Sequence, residues 1–139
     1  MGEGWSDALA LIVLAKSSDT ATTGINVGTY VRGRPSGIRS HPYTTNMKVN
    51  PLTYGDLQTR DEVHDSAGNV VAMQNIIGGM MIQPCNPTFL SARDAIVAAD
   101  ASYYNGANKC EILKAFAKRG LGSKATSSRR NDFSVPSGC

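Results

Sequence analysis

An eight-residue apolar run, Ala8 to Ala15, follows directly on two carboxylates placed four apart, Glu3 and Asp7. Residues four apart share one face of an α-helix. The pattern therefore predicts a helix from about Gly4 to Lys16, with both acids on one side and Leu9, Ile12 and Val13 among the buried positions. Lys16 suits the negative end of the helix dipole, and Ser17-Ser18-Asp19 breaks the pattern. Two acids on one face can be a metal ligand and the partner that orients a second ligand. They can equally be ordinary acids near a helix N-terminus, where negative charge is favoured. Spacing leaves both readings open.

From Thr20 to Arg60 the chain is rich in Gly, Pro, Thr and Asn and shows no sustained period. It reads as a long ordered loop with short extended pieces around Val27 to Val31; loops of this length in a compact domain are usually either functional or disordered. Gly68 to Gln83 reads as a second helix, nearly all apolar, ended by Pro84. Gly78-Gly79 inside it implies either close packing against another backbone or an early end. Asn86-Pro87 has the form of a helix cap followed by proline at the first helical position, and a third helix runs to about Ala101 with alanines for tight packing. Asn105-Gly106 is a turn. Asn108 then caps a fourth helix carrying Ile112, Leu113 and Phe116, stopped at Gly120. Beyond Gly122 the sequence is polar, and residues 123–139 read as a loosely held tail. No repeat is present. The expected fold is mainly α, a single domain over residues 1–139 with about four helices and one long ordered loop.

With 139 residues, 41% hydrophobic and 18% charged, the chain is the size of one domain with a modest core. Its net charge of +3 gathers late, at Lys118-Arg119, Lys124 and Arg129-Arg130, with no aromatic residues interleaved. That speaks against nucleic-acid binding. The apolar run is too short to span a membrane, and acids rather than bases precede it, unlike a signal peptide. Asn86-Pro87-Thr88 is the one Asn-x-Thr pattern, and its proline blocks glycosylation. Three cysteines make no disulfide scaffold and show no Cys-x-x-Cys spacing. Cys85 and Cys110 flank a helical segment and could close one loop worth ~3 kcal/mol in the chain-entropy picture, leaving Cys139 over.

Longer motifs add to this. Gly2-Glu3-Gly4-Trp5-Ser6-Asp7 resembles the segment that supplies the third zinc ligand in the fungalysins, the secreted fungal branch of the thermolysin-like zinc metallopeptidases. Gly37-Ile38-Arg39-Ser40-His41-Pro42-Tyr43-Thr44-Thr45-Asn46 and Asp61-Glu62-Val63-His64 resemble two further motifs of that family. The sequences from Gln83 to Phe89 and from Lys109 to Gly120 resemble its C-terminal helical lobe. The resemblance covers nearly the whole chain and implies the C-terminal lobe of an enzyme in which zinc-activated water hydrolyses internal peptide bonds. It would make Glu3 a zinc ligand and Asp7 the acceptor that orients a zinc-bound histidine. Arg39, alone an ordinary surface charge, would donate to a substrate peptide carbonyl. His64, alone a histidine among local carboxylates, would stabilise the oxyanion, oriented by a nearby carboxylate, with Asp61 the first candidate ahead of Glu62 and Asp65. The resemblance further favours a Cys85–Cys110 disulfide, an extracellular location, zinc as cofactor, and protein or peptide substrates. In the family a Gly-Met pair precedes the first motif inside the protein, so Met1 reads as an internal methionine.

Two departures qualify this. The chain has no His-Glu-x-x-His, the helix motif that supplies two zinc ligands and a general base. A catalytic zinc takes three protein ligands and a water, and one is recognisable here. Asp65 is followed by Ser66-Ala67-Gly68-Asn69, where the family continues with Ile-Gly-Glu-Val-Trp and more helix, so an internal deletion is expected near residues 65–69. The expectation is a catalytically incomplete lobe without a tight zinc site. The alternative is a non-catalytic helical module that binds a partner such as a full-length relative.

Overall fold

The computed structural model describes residues 2–58 and 70–139, and of Glu3, Arg32, Gln58 and Val70 the backbone alone. The described residues form four helices: α1, Gly2–Leu14; α2, Val70–Ile82; α3, Phe89–Tyr104; and α4, Lys109–Lys118. They contain no strand, so the chain is mainly α as its sequence predicts. The expected extended pieces near Val27 reduce to a 3-10 turn at Val31–Gly33 and one isolated antiparallel bridge, Ile25 with Tyr43.

α1 ends two residues before Lys16. The Asp19 carboxylate accepts the Lys16 backbone N–H at 2.8 Å, which offers the chain a turn in place of another helical bond. Leu11 and Ile12 are buried, whereas Val13, expected inside, is 69% exposed in the last turn of the helix.

α2 lies against α3, and its glycine pair explains how closely. A Cβ on Gly79 would stand 2.9 Å from Ile96 Cγ1 and 3.2 Å from Ile96 Cα, and one on Gly78 would meet the ring of Tyr103. Opposite them Ala92, Ala95 and Ala99 are buried along α3. Small residues on both helices let the backbones approach.

The cap of α3 is Thr88, not Asn86. Its hydroxyl accepts the Ser91 N–H while the Ser91 hydroxyl accepts the Thr88 N–H, a reciprocal box that closes the first turn. At the other end Asn105 turns left-handed. Asp100, fully buried, then receives Asn75 Nδ2 of α2 at 3.1 Å and both the N–H and Nδ2 of Asn108, at 3.0 and 2.8 Å. The Asn108 side chain serves this junction of three helices instead of capping α4.

Residues 123–139 are fixed, contrary to the loose tail expected from their polarity. Tyr54, Leu57 and Leu121 form a buried cluster with Phe89, Leu90, Phe116 and Ala125 packed on it. Around this cluster the tail is stitched back by polar contacts. Asn131 Oδ1 accepts the Gly55 N–H at 2.5 Å, Asn131 Nδ2 donates to Thr53 Oγ1 at 2.9 Å, and Arg129 donates to the Leu57 carbonyl at 2.9 Å. Asp132 receives the Ser134 hydroxyl and the Lys124 N–H, and the Ser134 bond above all holds its carboxyl below the usual range.

The returning tail also decides the disulfide. Cys139 bonds Cys110, with Cα atoms 5.1 Å apart, and Cys85 is an exposed free thiol. The Cys85–Cys110 pairing is therefore wrong. The 16 residues of α3 stand between those two cysteines, a length of about 24 Å against the 4 to 7 Å a disulfide spans.

Candidate active site

Of the acids, the histidine and the arginine singled out in the sequence, the described ones come from α1 and from the loop that follows it. Glu3 and Asp7 both lie on α1, one turn apart, so their backbone positions share a face. The loop returns to that face because of local contacts around Gly37. The Gly37 N–H donates to Arg34 O and the Ile38 N–H to Val27 O, both at 2.9 Å. Gly37 has a φ of 75°, and a Cβ there would run into the Val27 carbonyl. Only glycine permits this turn, and it delivers Arg39 to α1.

Arg39 closes on Asp7 with two parallel contacts, Nε to Oδ2 at 2.7 Å and Nη2 to Oδ1 at 3.0 Å. The two side chains are 14% and 8% exposed. A planar fork on a carboxylate, largely out of water, is a rigid arrangement. Tyr43 adds a third contact, its hydroxyl donating to Asp7 Oδ2. The ring is 2% exposed, and Tyr43 N and O both pair with Ile25 at 2.9 Å. Burial, and then the Asp7 carboxylate, push the phenol well above its ordinary range, so it remains a donor.

The structure thus brings Asp7 and Arg39 together and adds Tyr43. Sequence reasoning quoted Tyr43 within a motif without giving it a task, and no local pattern marks it. Asp61 and His64 lie outside the described residues, as does the side chain of Glu3. His41 is half-buried in the loop beside the Arg39 turn.

Among the described residues no three His, Cys, Asp or Glu side chains converge to hold a metal ion. The one acid described at this face, Asp7, already accepts from Arg39 and Tyr43. A zinc centre needs three ligands, and the described donors do not fit it.

Comparison with known proteins places these motifs. The model of the family described as Fungalysin metallopeptidase matches residues 1–67 and 62–125. The chain is 39% identical over its whole length to Extracellular metalloproteinase 2 of Arthroderma gypseum, and 38% identical to that of Trichophyton rubrum. Over 99% of its length it is 40% identical to Extracellular metalloproteinase of Pyrenophora tritici-repentis. It spans 28%, 28% and 27% of those proteins, little more than a quarter of each. The first alignment holds 176 positions against 139 residues, so about 37 positions have no residue in this chain.

Proposed function

The chain belongs to the fungalysin metallopeptidase family, and from that premise we propose that it is the C-terminal helical lobe of a secreted zinc metalloendopeptidase. By itself the lobe is catalytically incomplete. It forms one wall of the peptidase site, with Glu3 a zinc ligand, Asp7 and Arg39 beside it, and His64, oriented by Asp61, as the oxyanion stabiliser.

The observation that carries this reading is the fork of Arg39 on Asp7, one turn along α1 from Glu3. Two residues 32 apart in sequence, both singled out by the family motifs, meet on the helix that bears the third. In this arrangement Asp7 orients the guanidinium. The guanidinium in turn supplies fixed donors at the site wall, where a substrate carbonyl would lie. The extracellular names of the relatives support secretion.

Incompleteness rests on the donor set. The sequence has two histidines and no His-Glu-x-x-His. Zinc, when bound in such an enzyme, polarises water for attack on the peptide carbonyl, and these residues alone do not hold it. An internal deletion near 65–69 is supported by the two matched segments, which meet at residues 62–67, and by the unfilled alignment positions.

A chimera tests the assignment. These 139 residues replace the matching segment of a full-length relative, and bound zinc is measured by atomic absorption. The reading predicts zinc that is lost on Glu3→Gln. Zinc content unchanged by Glu3→Gln would overturn the assignment of Glu3.

A further inference from the structure

We propose that Arg119, at the end of α4, is a positioning residue for the Asp7–Arg39 wall, an inference that rests on the role given to that wall above. Arg119 is 5% exposed, and its described side-chain bonds all go to backbone carbonyls. Its guanidinium gathers the loop that carries the wall. Nη1 donates to the Asn50 carbonyl at 2.7 Å and the Leu52 carbonyl at 2.9 Å, while Nη2 donates to the Thr44 carbonyl at 2.5 Å. The Arg119 carbonyl accepts the Tyr54 N–H at 2.7 Å. One residue thereby fixes the loop at 44, 50, 52 and 54.

Thr44 is the link to the site. It follows Tyr43 directly in the chain, and Tyr43 donates its hydroxyl to Asp7. The segment is closed from its other side as well: Asn50 Nδ2 donates to Pro42 O at 3.1 Å, and Thr44 Oγ1 to Thr22 O at 3.0 Å. Pro42 stands three residues after Arg39. With the Thr44 carbonyl anchored, the Tyr43 ring has one direction, and the Asp7 carboxylate is held for Arg39. A planar group with several donors can bind three carbonyls on different strands of a loop, which a lysine ammonium cannot match in direction. Arg93 is also a buried arginine on carbonyls, yet it donates to Leu121 and Gly122, just ahead of the tail, and has no described bond to the 39–54 loop.

The test uses the 139-residue chain, labelled with 15N, and reads solvent exchange at the Arg39 Nε–H by NMR alongside a thermal melt. Arg119→Met and Arg119→Lys are compared with Leu113→Ala, which weakens the packing of α4 without touching those carbonyl bonds. We expect both Arg119 variants to exchange the Arg39 Nε–H about tenfold faster while Leu113→Ala leaves it within about twofold, whatever its melting temperature. Unchanged exchange in the Arg119 variants, or an equal change in Leu113→Ala, overturns the proposal. Should Arg119→Met fail to fold, Arg119→Lys decides alone, because it keeps the charge and loses the fork. Neither zinc nor substrate enters this experiment, so its failure leaves the peptidase reading standing. Failure of the chimera likewise leaves this result standing.

Discussion

Nε and Nη2 of Arg39 meet the two carboxylate oxygens of Asp7 at 2.7 and 3.0 Å, which keys a loop 32 residues downstream to a single turn of α1. Around that pair the structure is layered. Tyr43 holds Asp7, the Thr44 carbonyl holds the direction of Tyr43, and Arg119, at the C-terminal end of α4, holds Thr44. The pair and its supports thus draw on residues whose sequence separations reach 75 positions.

The first prediction concerns Tyr43. Replacing it with phenylalanine removes a donor from a largely buried carboxylate and should cost about 1–3 kcal/mol at neutral pH. The effect also depends on pH. The ordinary phenol value is 10.0, and burial with Asp7 raises the folded value above it. A group whose folded value is the higher contributes fully below the unfolded value and loses that contribution as pH rises towards the folded one. The stability gap between native and Tyr43→Phe chains should therefore be constant up to pH 10 and narrow above it. Urea melts across that range measure it, and a gap that stays constant well above pH 10 would contradict the account.

The disulfide gives the second. Peptide mapping without reductant should find Cys110 joined to Cys139 and Cys85 labelled by an alkylating reagent. The bond closes a loop between residues 29 apart. Cys139→Ser should then lower stability by about 3–4 kcal/mol in the chain-entropy picture. A Cys85–Cys110 peptide would contradict the observed path of the tail.

Gly79 supplies the third. At an exposed helical position, glycine to alanine stabilises by about 1 kcal/mol. At Gly79 the added Cβ meets Ile96 Cγ1 at 2.9 Å and the Ile96 backbone at 3.2 Å. The sign should reverse, with Gly79→Ala destabilising by about 1–3 kcal/mol as overpacking does. Thermal melts decide it, and a raised melting temperature would refute the close approach of α2 and α3.

What could be read in advance follows a physical divide. Helix existence was legible because apolar spacing and local stops are short-range signals, as with Pro84 after α2 and Gly120 after α4. The cap of α3 was misplaced because Asn86 and Thr88 are both good capping residues. Only the Ser91 hydroxyl, three residues past Thr88, separates them. The polarity of the tail suggests looseness because nothing local shows its partners: Asn131 and Arg129 find theirs more than 70 residues back in sequence. The pairing of Cys139 is hidden for the same reason. Asp7 and Arg39 stand out in the sequence through their motifs, but their pairing with each other does not. Tyr43 and Arg119 do not stand out, since a buried tyrosine and a buried arginine declare themselves only when the loop is folded around them.

The central claim is that this lobe forms one wall of a peptidase site and cannot work alone. Its most direct test is casein hydrolysis by the purified 139-residue chain with added zinc, in the presence and absence of a chelator. The account predicts no chelator-sensitive cleavage. Cleavage that the chelator abolishes, and that Glu3→Gln also abolishes, would contradict it.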